Sequence, residues 1–556
     1  MVMKRRVPGI LENLLKNKEE TRYANLAYVS IVLLTILSFR LFFMQIIEGS
    51  YYKQEADGNR IRTLPIIASR GVMYDRNGIL MVGSRASYGI TMPVDRKKNS
   101  LPETELRNLA NLLKTSPAML QKKIEDNKAI FGAIYLAKDV SLDVATEIEE
   151  KKNDYPDIEV EVQPVRVYPF GNAGAQMLGY VGEAGPEDVD KNGRPYASST
   201  LIGRAGLEWQ YNQYLEGTNG SKVIEVNAAG QPVNYTGGAA ISGNNIRLTV
   251  DSALQRAAEN AVEAQVNILH GMGIFPTGAS VVAVDPNSGA ILAMVSWPSF
   301  DPNQFSRGIS SEEWDKIINN KNHPLQNRNI SSMYPPGSTF KVITGATALE
   351  AKMVTPEEKI FDNGRHWLID KRNSEGEAFG WVDFYDAMAK SDNVYFYEMG
   401  RRVGIDRLAA MSRDFGLGQL TGIDLTGEVE GNVASEEYKK KIFGQDWYLG
   451  ETFDAAIGQS FTLTTPLQMA MVYSALANGG FKYQPYLVSR VDHLDGTPKK
   501  IFSPKRIGSL PLSKATMDVV CEALRRVMQK GGTGGNLFEN YPISIAGKSG
   551  TAETNG

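Results

Sequence analysis

The stretch Tyr334-Pro335-Pro336-Gly337-Ser338-Thr339-Phe340-Lys341 lies beyond the middle of a 556-residue chain and opens its most informative region. Pro-Pro-Gly predicts a turn, and the mostly apolar residues 339–351 predict a buried helix directly after it. Ser338 and Lys341 are three residues apart, so they share a face at the start of that helix. A serine hydroxyl becomes a good nucleophile only when a base takes its proton. A lysine can be that base only if burial or a second cation lowers its pKa.

Ser391-Asp392-Asn393 is the second motif, and it follows the helix-like residues 383–390. It supplies a hydroxyl for proton transfer and an amide that can hold a peptide. Taken alone the pattern is weak, because Ser242-Gly243-Asn244 resembles it by chance. The first motif has a chance counterpart too, from Ser50 to Lys53 beside an apolar segment.

Lys548-Ser549-Gly550-Thr551 is the third motif, and the preceding residues 543–548 read as a strand. The lysine supplies positive charge, a hydroxyl can bind a carboxylate, and the glycine lets a substrate approach the strand backbone. The prediction of a site around Ser338 depends on finding all three motifs in this order, separated by roughly fifty and then roughly a hundred and fifty residues. It also depends on their positions, since the first lies at the start of a helix, the second in a turn between helices and the third on a strand.

The second half of the chain predicts an α+β fold, an antiparallel sheet covered by helices. Residues 245–250 predict a strand, and Asp251 or Ser252 caps a helix over residues 253–267. Residues 280–285 and 290–295 flank Pro286-Asn287-Ser288-Gly289 and predict a hairpin. A mostly helical stretch follows, and residues 543–548 are expected to add the last strand.

The residues before this half predict a mixed domain. Asn77-Gly78 indicates a tight hairpin turn, and residues 101–130 predict two short paired helices. A low-complexity break at Gly237-Gly238-Ala239-Ala240 indicates a domain boundary. We therefore expect one domain over residues 48–240 and a second domain over residues 241–556.

Residues 25–47 are almost wholly apolar, with Arg40 as the one charge. A helix of this length can cross about 30 Å of hydrocarbon. Residues 24–47 are therefore expected to be a single transmembrane signal anchor behind a tail of residues 1–23. A cleaved signal peptide fits less well, because the run is too long and no Ala-x-Ala-like site follows. Basic residues before the segment predict a cytoplasmic N-terminus, with the rest of the chain outside the membrane: Lys4, Arg5, Arg6, Lys16, Lys18 and Arg22.

Several other functions are disfavoured. A net charge of -3 gives no global excess of positive charge for nucleic acid. Gly547-Lys548-Ser549 resembles the end of a phosphate loop, but Pro542 stands where that loop needs a glycine. A calcium-loop-like run begins at Asp188, but its twelfth position is Ser199 instead of glutamate.

With these motifs in place, the sequence resembles the class B penicillin-binding proteins, most closely the penicillin-binding protein 2 group of the rod-elongation type. Outside the three motifs, the resemblance is carried along the whole chain by Arg70-Gly71, Asp75-Arg76-Asn77-Gly78, Tyr168-Pro169, Leu178-Gly179-Tyr180-Val181-Gly182, Gly203-Arg204-Ala205-Gly206-Leu207-Glu208, Gly450-Glu451-Thr452, Ile457-Gly458-Gln459 and Thr465-Pro466-Leu467-Gln468.

The resemblance implies a non-catalytic pedestal of the dimerisation type and a transpeptidase domain related in fold to serine β-lactamases. Such an enzyme cross-links peptidoglycan stem peptides and binds β-lactams. It needs no metal or organic cofactor, and a membrane glycosyltransferase partner would polymerise the glycan.

The resemblance also implies the role of each motif residue. Ser338 would attack the bond between two terminal D-alanines, and Lys341 would take its proton. Ser391 and Asn393 would relay protons and hold the substrate. The third motif would bind the terminal carboxylate through Lys548, Ser549 and Thr551, with Gly550 leaving room for it. Backbone N–H groups of Ser338 and Thr551 would form the oxyanion hole.

Some positions depart from the family pattern. Ser549 stands where threonine is usual, which keeps the hydroxyl, and Ser460 replaces a common glycine. Some relatives carry a cysteine and histidine metal cluster between the first two motifs. Here that stretch has His366 but no cysteine, so we predict no zinc there. The chain stops at Gly556, soon after the third motif, and we expect a truncated sheet in a form that is inactive or unstable.

Within the enzyme class, a septal transpeptidase is the main alternative to an elongation enzyme. A β-lactam sensor would share Ser338 but would need more membrane passes and an output domain. A penicillin hydrolase would need a deacylating base, and none is identified. A non-catalytic scaffold would not need the intact motifs.

Overall fold

The computed structural model describes residues 10–51, 61–94, 100–126, 132–185, 187–190, 193, 196, 200–226, 232–538 and 540–553. Lys4, Arg5, Arg6 and Ser199, which entered the expectations above, lie outside the described residues. The fold divides into two compact units. The smaller contains the N-terminal helix and a three-stranded sheet, and the larger contains the other sheets and helices.

The N-terminal helix, α1, spans Ile10–Phe42 and continues as a π-helical turn over Phe43–Ile47. Its segment Asn25–Ile47 is 23 residues long, apolar and 0% buried within the protein. At 1.5 Å per residue, such a helix can cross about 30 Å of hydrocarbon. It is the one candidate membrane span in the described part of the chain, and it coincides with the predicted anchor.

The N-terminal half alternates short strands and helices. Its strands are β1 Ile61–Ile66, β2 Met73–Tyr74, β3 Leu80–Val94, β4 Gly132–Val140, β5 Glu159–Val167, β6 Val181–Glu183, β7 Leu201–Gly203, β8 Gly220–Val226 and β9 Pro232–Gly238. Its helices are α2 Glu103–Leu112, α3 Pro117–Asp126, α4 Leu142–Glu150, α5 Ala175–Leu178, α6 Gly206–Gln210 and α7 Asn212–Leu215. Strands β1, β8 and β9 form the three-stranded antiparallel sheet of the smaller unit.

Two local predictions in this half are confirmed. The Asn77-Gly78 turn joins β2 to β3 as an antiparallel hairpin, and Gly78 has the positive φ of +87° that such a turn requires. Helices α2 and α3 are the two predicted paired helices, and they bury Leu109 and Ile124 in a common apolar core. The helical spacing of leucines was therefore sufficient to place them.

The second half is richer in helix. Its strands are β10 Asn245–Leu248, β11 Ala279–Val284, β12 Ile291–Trp297, β13 Ile360–Asp362, β14 Gly380–Val382, β15 Phe481–Tyr483, β16 Val488–Asp492, β17 Pro498–Ile501 and β18 Arg506–Ser509. Its helices are α8 Ser252–Gly271, α9 Asn303–Ser306, α10 Ser311–Ile318, α11 Arg328–Ser331, α12 Lys341–Glu350, α13 Phe384–Lys390, α14 Asn393–Val403, α15 Ile405–Asp414, α16 Glu436–Phe443, α17 Leu449–Ala456, α18 Pro466–Ala477, α19 Lys514–Val527 and α20 Gly535–Phe538.

The predicted strand β10, helix α8 and hairpin β11–β12 are all present, but β10 does not extend the hairpin. It belongs to a seven-stranded sheet with the order β17-β16-β10-β2-β3-β4, in which β5 also pairs with β3. Strand β10 runs antiparallel to β16 and parallel to β2, with Ile246 opposite Met73. Because β2 lies in the first half of the sequence, one sheet connects the two halves of the chain.

Helix α12 is the buried centre of the second half of the chain. Every residue from Lys341 to Ala348 is buried, and the helix packs against α14, α15 and α19. Gly345 lets the ring of Phe384 approach, since a Cβ there would lie 2.7 Å from a ring carbon. This packing explains why residues 339–351 are apolar nearly all round: the helix has no solvent face.

The predicted strand over residues 543–548 is wrong. These residues form no ladder with any described strand, and their one backbone bond runs from Gly547 N–H to the Leu524 carbonyl of α19, 3.1 Å away. A stretch of apolar, β-favouring residues becomes a strand only where a neighbouring strand forms backbone hydrogen bonds with its N–H and C=O groups. Among the described residues no strand does so for residues 543–548.

Candidate active site

The first motif starts at a turn that only glycine can make. Gly337 has φ +55°, and its N–H donates to the Gly458 carbonyl at 2.9 Å. A Cβ on Gly337 would lie 2.3 Å from the backbone oxygen of Thr551. The chain then forms a 3₁₀ turn over Gly337–Phe340, which leads into α12. Ser338 is thus presented, half-buried, at the start of the buried helix.

Lys341 is fully buried, and its Nζ contacts the second motif. It donates to the Ser391 carbonyl at 2.7 Å, to Asn393 Oδ1 at 2.6 Å and to Ser391 Oγ at 3.3 Å. Burial first, and then the positive charge of Lys548, hold the pKa of Lys341 well below its ordinary value, while the nearby Asp392 partly opposes them. Lowering this pKa favours the neutral form of Lys341, which is the form that can act as a base.

The three Nζ contacts differ in a way that matters for proton transfer. A neutral amine has two N–H groups, which match the two shorter bonds, and one lone pair. The lone pair can then accept the hydroxyl proton of Ser391 across the longer contact. The Ser338 hydroxyl forms no hydrogen bond with a described residue. The predicted proton transfer from Ser338 to Lys341 therefore has no corresponding hydrogen bond in this structure.

The second motif joins two helices. Ser391 ends α13 in the left-handed conformation, with φ 58° and ψ 39°, which is strained for a residue with a side chain. Asp392 then caps α14, accepting from the Tyr395 N–H at 2.9 Å. Asp392 is fully buried, and that burial raises the pKa of its carboxyl to about 7. The abrupt reversal is what points both the Ser391 carbonyl and the Asn393 amide oxygen at Lys341.

The third motif lies against the first. A Cβ on Gly550 would lie 2.7 Å from the methyl group of Thr339, so the absence of a side chain at position 550 lets the third motif lie close to the first. Lys548 Nζ donates to the Ser549 carbonyl at 3.0 Å, and burial lowers the pKa of Lys548 to about 8. The Ser549 and Thr551 residues are exposed, which leaves them open to a bound molecule.

The structure thus brings all three motifs into one site. Lys341 joins the first to the second directly, and the charge of Lys548 acts on Lys341. Sequence reasoning missed Thr533, whose hydroxyl lies 2.7 Å from that of Ser549, and Tyr473, whose hydroxyl donates to the Thr339 carbonyl at 2.9 Å. A glycine-rich run around Thr533 was a visible signal for the first, and nothing marked the second.

His366 lies in the stretch where some relatives carry a metal cluster. It is buried, and its Nε2 is 3.3 Å from a carboxylate oxygen of Glu398, which also accepts from Arg401 and Arg402. Within the described residues, no group of three or more His, Cys, Asp or Glu side chains is arranged to hold a metal ion. The absence of zinc stays a prediction, tested by elemental analysis of the purified chain.

Comparison with known families gives two matches. Residues 279–556 match the penicillin binding protein transpeptidase domain, and residues 65–248 match the penicillin-binding protein dimerisation domain. The transpeptidase match contains all three motifs.

Individual proteins match over nearly the whole chain. The chain is 32% identical over 548 residues to the peptidoglycan D,D-transpeptidase MrdA of Haemophilus influenzae, covering 95% of this chain and 81% of the relative. Its fold is similar to that of PBP2 in its complex with MreC from Helicobacter pylori, with TM-score 0.73, 25% identity and 89% of each chain covered. A structure described as a peptidoglycan synthase complex that coordinates polymerization and crosslinking matches with TM-score 0.71 and 30% identity, covering 96% of this chain and 89% of the other.

Proposed function

The chain belongs to the penicillin-binding protein transpeptidases, and we propose that Ser338 is the nucleophile of its D,D-transpeptidase reaction. The observation that carries the proposal is the burial of Lys341 between the nucleophile turn and the second motif, with three hydrogen bonds to Ser391 and Asn393. Peptidoglycan D,D-transpeptidation by a serine acyl-enzyme is the activity of the family.

In acylation, Ser338 Oγ attacks the carbonyl carbon of the penultimate D-alanine of a stem peptide, and its proton passes to the neutral Lys341. The tetrahedral oxyanion is stabilised by two backbone N–H groups, those of Ser338 and Thr551. The Ser338 N–H lies in the first turn of a helix, where N–H groups have no helical partner. The backbone of Thr551 passes close to Gly337, the residue before Ser338.

The intermediate then collapses. The C–N bond to the terminal D-alanine breaks, and that nitrogen takes a proton delivered from Lys341 through the Ser391 hydroxyl, which the 3.3 Å contact permits. The acyl-enzyme remains as an ester on Ser338. An amine of a neighbouring stem peptide attacks this ester, loses a proton along the same relay, and releases Ser338 as a hydroxyl.

Lys548 supplies the charge that recognises the substrate's terminal carboxylate. With its pKa at about 8, it is mostly protonated at neutral pH. The exposed hydroxyls of Ser549 and Thr551 complete the carboxylate site, and Ser549 is held by Thr533. The serine at position 549 keeps the donor that threonine would provide.

The experiment is intact-mass analysis of the full chain in detergent after brief exposure to a penicillin. We expect one adduct per chain that is absent in Ser338→Ala. Ser50→Ala is the matched control, because Ser50 begins the chance Ser-x-x-Lys pattern. An adduct that survives in Ser338→Ala, or that disappears in Ser50→Ala, refutes the assignment. A stable adduct also excludes a fast penicillin hydrolase, and turnover of a stem-peptide substrate excludes a sensor.

We further propose that residues 48–240 are the pedestal, that residues 241–556 are the transpeptidase domain, and that α1 anchors the chain with its N-terminus in the cytoplasm. The excess of lysine and arginine before residue 25 supports this orientation. Protease added outside spheroplasts should degrade the chain beyond residue 47. Protection of that region would reverse the orientation.

The relatives favour a role in cell elongation, with a membrane glycosyltransferase as partner. Support comes from the similarity to MrdA and to the peptidoglycan synthase complex that couples polymerization to crosslinking. A tagged copy should follow the lateral wall. Accumulation at the division site would instead favour the septal alternative.

A further inference from the structure

Asn373 lies between the first two motifs and forms four side-chain hydrogen bonds. Its Oδ1 accepts from two consecutive backbone N–H groups at the start of α14, those of Asn393 at 2.8 Å and Val394 at 3.1 Å. Its Nδ2 donates to the Asp362 carboxylate at 2.7 Å and to the Glu377 carbonyl at 2.9 Å. Because a carboxylate can only accept and an N–H can only donate, these partners fix the orientation of the amide.

Asp362 anchors Asn373 from the other side. It is buried at the end of β13, and its carboxylate also accepts from the backbone N–H groups of Gly364 and Phe379, at 2.7 and 3.0 Å. Strand β13 pairs with β14, with Asp362 opposite Gly380. The Asn373 amide is therefore held by a small sheet outside the three motifs.

The other end of this chain of bonds is the catalytic base. Asn393, whose N–H Asn373 holds, accepts from Lys341 Nζ at 2.6 Å through its own side chain. The first N–H groups of a helix need external acceptors. Here Asp392 accepts from the Tyr395 N–H, and Asn373 accepts from the N–H groups of Asn393 and Val394. Asn373 thus sets where the first turn of α14 begins, and with it the position of the Asn393 oxygen at Lys341.

We propose that Asn373 is a positioning residue for acylation, transmitting the fixed geometry of Asp362 to the contact between Asn393 and Lys341. The proposal rests on the roles given above to Ser338 and Lys341. It requires an amide at position 373, because only an amide side chain can accept from the helix and also donate two hydrogen bonds, one to Asp362 and one to the Glu377 carbonyl.

The test measures the rate constant for acylation at saturating penicillin, separately from the binding constant, in the full chain in detergent. Asn373→Ala should lower that rate constant about 10- to 100-fold, the effect expected when a reacting group is displaced by about 1 Å. Asn303→Ala is the matched control. Asn303 accepts from the Tyr168 N–H and donates to the Tyr168 carbonyl and to the Asp301 carboxylate, away from the motifs.

Asn373→Asp provides a readout that a loss of stability alone would not produce. Its carboxylate keeps the acceptor but cannot donate to Asp362 unless it is protonated. The charged groups around this position are Asp362, Asp392 and Lys341, with Glu377 and Arg372 on the same loop. The rate of Asn373→Asp relative to wild type should therefore rise as the pH is lowered from about 9 to about 6, whereas that of Asn373→Ala should stay constant.

An Asn373→Ala rate equal to wild type would overturn the proposal, as would an equal loss in Asn303→Ala at the same change in melting temperature. If Asn373→Ala does not fold, Asn373→Asp decides: a pH-independent ratio to wild type refutes the proposal. Failure of the wild type to form a Ser338 adduct would instead refute the proposed nucleophile, so the two failures are distinguishable.

Discussion

Glu208 is buried in the larger unit between two arginines, and its replacement should be strongly destabilising. Arg70 Nη2 donates to Glu208 Oε2 at 2.6 Å, and Arg166 Nε donates to Oε1 at 2.6 Å. All three side chains are almost completely buried, at 5% exposure or less. Burial alone would raise the pKa of Glu208, but the charges of Arg166 and Arg70 outweigh it and hold that pKa below its usual range.

The variant Glu208→Gln keeps the volume and removes the negative charge, so two buried guanidinium groups face each other without compensation. Breaking a buried ion pair in this way costs about 3–5 kcal/mol, a large fraction of the roughly 5–15 kcal/mol that stabilises a typical protein. In the double variant Glu208→Gln with Arg166→Met, one of these charges is gone. The two costs should therefore be non-additive by about 1–3 kcal/mol.

The free energy of unfolding can be followed in urea through tryptophan fluorescence, to which Trp209, the next residue in the chain, contributes. Glu103→Gln is the control, because the Glu103–Arg107 pair is exposed, and its loss should cause no measurable change. A cost for Glu208→Gln below about 1 kcal/mol, or strict additivity in the double variant, would refute the reasoning.

Four further outcomes are expected. Burial raises the pKa of Asp392 from 3.8 in the unfolded chain to about 7 in the folded protein. The carboxyl's contribution to stability is therefore complete below the unfolded pKa and is lost as the pH rises through the folded pKa. Asp392→Asn should therefore gain stability relative to wild type between pH 4 and pH 8, by up to about 4 kcal/mol, and a constant difference would contradict this. In the wild type, loss of the Lys548 charge should make penicillin acylation fall above pH 8. Lys548→Arg should abolish this fall, and the same fall in the variant would exclude Lys548 as its origin. Gly337→Ala should reduce the rate of penicillin acylation by about 100-fold or more, because a Cβ would lie 2.3 Å from the Thr551 backbone oxygen. An unchanged rate would show that the turn can rearrange to accept the methyl group. Ser460 has φ +62°, so Ser460→Gly should raise stability by about 0.5–1 kcal/mol in thermal melting, and a lower melting temperature would contradict it.

The pH dependence of stability near the site follows from the two lysines. Their pKa values are lowered in the folded protein, so between each lowered value and the ordinary value near 10.5 the unfolded chain binds more protons. Their contribution to stability therefore rises with pH across that window. Acylation follows a different rule, because it requires Lys341 neutral and Lys548 protonated at the same time.

Much of this protein was determined by sequence alone because the information is local. The apolar run of residues 25–47 gives a membrane-length helix whatever surrounds it, and Asn77-Gly78 makes a hairpin because glycine accepts a positive φ. The helix caps at Asp251, Asp383 and Asp392 follow from the preference of carboxylates for free N–H groups. The same local rules placed Ser338 at a helix start and Ser391 between two helices.

Tertiary structure decided what depends on a distant partner. Strand β10 could be recognised, but its parallel pairing with β2 could not, since pairing depends on residues some 170 positions away. Residues 543–548 have strand-like composition, yet they pair with no described strand, and the Gly547 N–H bonds instead to a carbonyl of α19. Burial of Lys341, the raised pKa of Asp392 and the four bonds of Asn373 arise only when α12, α14 and β13 meet. Sequence therefore specified the reacting groups, and the fold supplied the desolvation and fixed geometry that make them reactive.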